Sequence, residues 1–96
     1  MPKVYIINKS SHDFSKAARY GELVYCSTGW IERFSPNQML RQIAIVMQDS
    51  TPDDLILLTS IPLMGSVACA YFAKKHGTLN LLLFRDGDYI ERRLIL

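Results

Sequence analysis

Residues 55–60 read LILLTS, four apolar side chains in a row followed by two hydroxyls. A strand with one wet face alternates apolar and polar residues, whereas an uninterrupted apolar run is covered on both faces, as in a parallel sheet. This strand decides the fold class. STPDD (50–54) breaks the chain ahead of it, and Asp53 and Asp54 read there as a solvated turn. After it, PLMGSVACAYFAKKHG (62–77) reads as a helix. Its small residues Gly65, Ser66, Ala68, Cys69, Ala70 and Ala73 allow close approach to the sheet. Lys74, Lys75 and His76 sit at its negative pole, and Gly77 is the stop. LNLLLF (79–84) is a further strand, RDGD (85–88) carries the Asp-Gly signature of a tight hairpin, and YIERRLIL (89–96) returns antiparallel.

Upstream, KVYIIN (3–8) is a buried strand, and DFSKAARYG (13–21) is a short helix capped by Asp13 and stopped by a left-handed Gly21. ELVYCST (22–28) is the second strand. In SPNQ (35–38), Ser35 is a cap, Pro36 occupies the first helical position and Gln38 completes a capping box. The helix that follows, 36–49, places Met39, Leu40, Ile43, Ala44 and Met47 on one face. The order β-α-β-α-β-α-β-β predicts a single α/β domain over 1–96, with strands near 3–8, 22–28, 54–60, 79–84 and 89–96 and helices near 13–20, 36–49 and 62–76. The expected architecture is a minimal three-layer Rossmann-like or flavodoxin-like domain: a mostly parallel five-stranded sheet, order 2-1-3-4-5, with a C-terminal β-hairpin.

Composition narrows the function. Of 96 residues, 49% are apolar and 21% charged, so the chain has the makings of a core. The net charge is +2, and the basic residues form no run longer than two. That pattern disfavours nucleic acid, whose binders show a basic stripe. Cys26 and Cys69 form no CxxC or Cys/His spacing, so no metal site is expected and both read as buried free thiols of a reducing compartment. The apolar runs are too short to cross a membrane and none resembles a leader, so a cytoplasmic protein is expected.

In open α/β sheets ligands bind beyond the carboxyl ends of the strands, where the strand order reverses. With the expected order, that crevice is framed by Asn8, Lys9, Ser10, Ser11, His12 and Asp13 after the first strand, and by Thr59 and Ser60 after the third. Asn8, Lys9, Ser10, His12, Thr59 and Ser60 are therefore the expected ligand-binding set. For Ser10, Ser11 and Asp13 helix capping is the favoured alternative. Neither GxGxxG nor GxxxxGK[ST] occurs, so a full dinucleotide is not expected and a nucleotide-like or other small anionic ligand fits better. A catalytic version would need His12, Asp13 and Ser60 to converge in space. Asp86, Asp88 and Glu91 read as turn chemistry without metal-ligand spacing. Trp30 reads as an anchor for a partner or stacked base, while Ile31 and Phe34 are expected to staple onto the second helix.

VYIINKSSHDFS and LNLLLFRDG, in this order in so short a chain, resemble uncharacterised small α/β proteins of bacteriophage and bacterial genomes. The resemblance spans nearly the whole chain. It implies a small phage-type factor that docks on a host protein, and it carries over no catalytic or binding residue. The reading that results is a non-enzymatic Rossmann-like module, needing no cofactor, that holds a small anionic ligand or docks on a protein. The alternative is a small hydrolase or transferase acting on a nucleotide or phosphoester. The apolar final strand predicts a homodimer through the C-terminal hairpin or an adjoining helix face.

Overall fold

The computed structural model describes residues 1–59 and 61–96; Ser60 lies outside them. The strands are β1 (Lys3–Ile6), β2 (Glu22–Tyr25), β3 (Leu55–Leu57), β4 (Thr78–Arg85) and β5 (Asp88–Ile95), and the helices are α1 (Pro36–Val46) and α2 (Pro62–His76). They form one mixed sheet in the expected order β2-β1-β3-β4-β5. β2, β1, β3 and β4 are parallel neighbours, but the longest pairing is the antiparallel one. β4 and β5 register from Thr78↔Ile95 to Arg85↔Asp88, whereas β3 and β4 register only at Ile56↔Leu81 and Leu57↔Leu82. The sheet is therefore mixed rather than mostly parallel.

β3 is shorter than the expected 54–60, and Leu58 beyond it is 42% exposed, but the three residues of the strand are buried on both faces as an uninterrupted apolar run requires. Ile56 packs into a core with Tyr5, Ile7, Ile43, Met47 and Phe72 on the face carrying α1 and α2, while Leu55 and Leu57 join Val4, Ile6, Phe14 and Ala17 on the other. The two faces are unequally covered. In place of the expected helix near 13–20 stands a five-residue 3-10 helix, Ser15–Arg19, so the third layer is little more than one turn. Seven residues between Asp13 and Gly21 leave too few bonds to repay α-helical nucleation. The rest of this face is covered by the β4–β5 hairpin, whose Leu82 and Tyr89 belong to the same core.

Several local expectations change once the chain is packed. Gly21 is not left-handed; the glycines with positive φ are Gly29, Gly77 and Gly87. A Cβ on Gly21 would fall on the Pro2 carbonyl, the group that accepts the Glu22 N–H, so Gly21 is required by close approach. Ser35 makes no side-chain cap bond, so the capping box does not form; of the two expected staple residues Phe34 is 87% exposed, whereas Ile31 is partly buried against the core that holds Met39 and Ile43 of α1. Asp54 is not a solvated turn residue. It is buried, its Oδ1 accepts the Lys3 N–H and its Oδ2 the Thr51 N–H, both at 2.9 Å, which ties the starts of β1 and β3 together. Along α2, Gly65 and Ala68 are buried, whereas Ser66 and Ala70 face outward. Cys26 and Cys69 are both free, the first buried and the second half-buried.

Candidate functional site

β1 and β3 are adjacent, and the chain leaves them toward opposite edges of the sheet, to β2 and to β4. The mouth between them is the switch point. Asn8, just beyond β1, is buried: its Nδ2 donates to Ser27 Oγ at 2.9 Å and to the Gly29 carbonyl at 3.2 Å. Ser27 Oγ in turn donates to the Ile7 carbonyl at 2.8 Å. Lys9 follows the same side, its N–H donating to the Ser27 carbonyl at 2.8 Å and its Nζ lying 5.3 Å from the centroid of the Tyr25 ring. Asn8 and Lys9 thus clasp the ends of β1 and β2.

Ser10, His12 and Thr59 instead meet in a cleft of about 390 Å³ walled by Phe14, Leu57, Phe84 and Tyr89. Ser60, the remaining expected ligand residue, lies outside the described residues. Aromatic rings run through this mouth in sequence. Tyr25 to Phe14 is 6.4 Å between centroids, Phe14 to His12 5.1 Å, His12 to Phe84 6.1 Å, and Phe84 to Tyr89 5.3 Å. Such spacings suit tilted and edge-to-face contacts; Phe14 and Tyr89 are buried, while Phe84 is 60% exposed. Thr59 Oγ1 is buried and has no hydrogen-bond partner among the described residues.

The polar residues beside the cleft are largely committed to local backbone. Ser10 Oγ accepts the His12 N–H at 3.2 Å, and Asp13 Oδ1 accepts the Ser15 N–H at 2.9 Å. That amide bond, more than any neighbouring charge, holds the Asp13 carboxyl below the usual carboxylate value. Asp13 therefore serves the 3-10 helix, and the His12 ring packs against Phe14 and Phe84. A proton relay needs the imidazole bonded to a carboxylate and a nucleophile. Among the described residues that arrangement is not assembled.

Phe14, Phe84 and Tyr89 are the wall residues that reading the polar loop overlooked. A signal was present: Phe84 and Tyr89 flank the hairpin turn and pair directly across it, which places both rings on one face. Trp30 projects from the loop after β2 and is 84% exposed, with Phe34 nearby in sequence equally so. A shallower cleft of about 610 Å³ lies below this loop, lined in part by Ser27, Glu32, Arg41 and Gln42. Between α1 and α2 runs an apolar groove of about 840 Å³, floored by Leu40, Ala44, Val67 and Tyr71. No helix among the described residues is long and apolar enough to cross a membrane.

A family model described as Phage Pam3 gp32-like protein matches residues 2–94. No curated protein and no solved structure matches the chain.

Proposed function

We propose, from the premise that this chain belongs to the Phage Pam3 gp32-like protein family, that it is a non-enzymatic, Rossmann-like binding module whose switch-point cleft takes a nucleoside or mononucleotide. One observation carries the reading: His12, Phe14, Phe84 and Tyr89 line the cleft, with the Thr59 hydroxyl, which has no partner among the described residues, in its wall. Rings supply stacking for a base, and a hydroxyl that is donor and acceptor at once reads its edge. The cleft volume of about 390 Å³ lies near the small end of the ~300–1,000 Å³ usual for ligand sites, which favours a mononucleotide over a dinucleotide. Lys9, whose Nζ lies 5.3 Å from the Tyr25 ring, is the cation proposed to meet a phosphate. The free, buried Cys26 supports work in a reducing cytoplasm.

The test is a titration with adenosine, guanosine and their monophosphates, followed by amide chemical shifts and calorimetry. Shifts centred on His12, Thr59 and Phe84, lost in Phe84→Ala, are the expected result. Tighter binding of the monophosphates, relaxed by Lys9→Ala at unchanged melting temperature, would place the phosphate at Lys9. Saturating nucleoside that leaves these amides unmoved overturns the reading. Product formation that vanishes in His12→Ala would replace it with the hydrolase or transferase alternative.

A second reading rests on Trp30 and Phe34, two large aromatic side chains more than four-fifths exposed on one loop. Exposed aromatics of this kind are the usual anchors of protein interfaces. On this reading the loop docks on a host protein, and Trp30→Ala abolishes that contact without touching the cleft.

A further inference from the structure

β5 is an outer strand of the sheet, paired on one side with β4. The hairpin turn has Asp86 at φ 52 and Gly87 at φ 81 and closes on the Arg85–Asp88 pair. In such a two-residue turn the closing pair exchanges both backbone bonds, and the bonding alternates from there. The even-numbered residues of β5 therefore turn their N–H and C=O toward β4, and the odd-numbered ones turn theirs to the open edge. Two contacts agree: the Leu96 N–H donates inward to the Gly77 carbonyl at 3.3 Å, and the Tyr89 carbonyl is reached from outside the pair by the Tyr20 hydroxyl.

This edge is blunted over half its length. At the tip the Tyr89 N–H bonds Asp88 Oδ1 and its carbonyl is taken by Tyr20. Beyond it the Glu91 carbonyl is met by the exposed guanidinium of Arg92, and no side chain among the described residues caps the backbone of Arg93 or Ile95. Leu94 and Ile95 are 42% and 86% exposed. Residues opposed across β4–β5 share a face, so Ile90, Arg92 and Leu94 lie with Leu81 on the helical face. Tyr89, Glu91, Arg93 and Ile95 lie with Leu82 on the other.

We propose that a second copy of this chain covers this edge, the two β5 strands pairing antiparallel about a two-fold axis at Arg92. In a sheet continued through such an axis, opposed residues lie on the same face, and the outward-bonding residues must meet each other. Centring on Arg92 meets both conditions, odd opposite odd. It also sets Glu91 against Arg93 of the second copy, and Ile90 against its Leu94, each twice by symmetry. Sliding one register toward the turn puts Glu91 against Glu91; sliding the other way puts Arg93 against Arg93 and separates Ile90 from Leu94. Opposite charges and apolar pairs directly opposed stabilise a ladder, and like charges oppose it. The chosen register leaves one unfavourable pair, Arg92 against Arg92 on the axis, where both side chains are exposed.

Light scattering and sedimentation across the micromolar range test the proposal. The wild-type mass is expected to rise to twice the 11.0 kDa of one chain. Glu91→Arg and Arg93→Glu should each weaken self-association by about tenfold or more, with circular dichroism showing that the fold is kept. The double variant E91R/R93E should restore it, because the two ion pairs re-form with reversed sign. Arg92→Thr removes the like-charge pair and should tighten the dimer. In a Cys69→Ser background, Arg92→Cys should cross-link on oxidation and Arg93→Cys should not. A mass that stays at 11.0 kDa overturns the proposal, as does a dimer that the double variant does not restore or that cross-links through position 93. Association only with a strand of a different protein overturns it equally.

Discussion

The Tyr20 hydroxyl donates to the Tyr89 carbonyl at 2.6 Å, joining residues 69 apart and holding the hairpin tip against the 3-10 helix. Arg19 adds an ion pair to Asp88 at 3.0 Å, and Lys16 Nζ donates to the Gly87 carbonyl at 2.8 Å. These two lie in solvent and contribute little. The half-buried Tyr20 bond carries more of the attachment. The attachment holds Phe84 and Tyr89 beside His12 and Phe14, and these four residues wall the cleft.

Tyr20→Phe removes that bond and leaves the ring in place. The expected loss is about 0.5–1.5 kcal/mol in urea unfolding followed by far-ultraviolet circular dichroism. Nucleoside affinity should fall with it, since the Phe84–Tyr89 wall loses its tether. An unchanged unfolding midpoint would show that the hairpin tip is held by packing alone.

Tyr5→Phe should behave in the opposite sense. Tyr5 is fully buried, its hydroxyl has no partner among the described residues, and burial, with a smaller contribution from Asp54, pushes its pKa up to about 12. Deleting an unpaired buried hydroxyl is neutral or stabilising by up to about 1 kcal/mol. A clear loss of stability in the same urea assay would mean that the oxygen is bonded.

Gly21→Ala places a methyl against the Pro2 backbone, which is fixed by its bond to the Glu22 N–H at 2.9 Å. Backbone cannot swing aside as a side-chain tip can. A loss of about 1–3 kcal/mol is expected, read as a lowered thermal midpoint. Full retention of the wild-type midpoint would refute the close approach.

Asp54→Ala deletes the acceptor of two backbone amides, those of Lys3 and Thr51. Hydrogen bonds to a charged group are worth more than neutral ones, and a buried amide left bare adds its own penalty. About 2–4 kcal/mol should be lost on that basis, together with amide-exchange protection at Lys3. Rapid exchange at Lys3 already in the wild type would contradict the latch.

His76 should make stability fall with acid. Its ring lies 4.6 Å from that of Phe72 and its Nε2 is 2.9 Å from Ser50 Oγ; burial, then Lys75, lowers its pKa below the usual 6.5. In the window between the lowered folded value and the unfolded 6.5, the unfolded chain binds more protons, so stability rises with pH there. Above 6.5 both states are neutral and the effect is complete. His76→Gln should flatten the slope of unfolding midpoint against pH just below 6.5; an identical slope in wild type and variant would assign the dependence elsewhere.

The candidate site was half legible. That the segments leaving β1 and β3 would lie side by side follows from strand order, and Ser10, His12 and Thr59 line one cleft there. Asn8 and Lys9 turn instead to Ser27 and Tyr25. The split falls where the chain leaves β2: the Asn8 side chain and the Lys9 N–H are both held by Ser27, and only the residues beyond that tie turn toward the cleft. Asp13 and Ser10 spend their side chains on nearby amides, the ordinary use of such residues before a helix.

What the sequence determined by itself is whatever depends on residues a few positions apart. LIL (55–57) without polar alternation buries both faces of β3, though Leu58, the last of the apolar run, lies beyond the strand and is exposed; Pro36 and Pro62 begin the helices; Gly77 ends α2 left-handed; Asp86-Gly87 turns the hairpin. What only the tertiary structure decided rests on contacts between distant segments. The hairpin folds back over a 3-10 helix 69 to 71 residues upstream, and Asp54 is buried by meeting Lys3 across 51 residues. Propensity and capping are short-range terms and can be read along the chain. Which face a hairpin covers, and which carboxylate loses its water, is set by packing among elements that the local pattern leaves unordered in space.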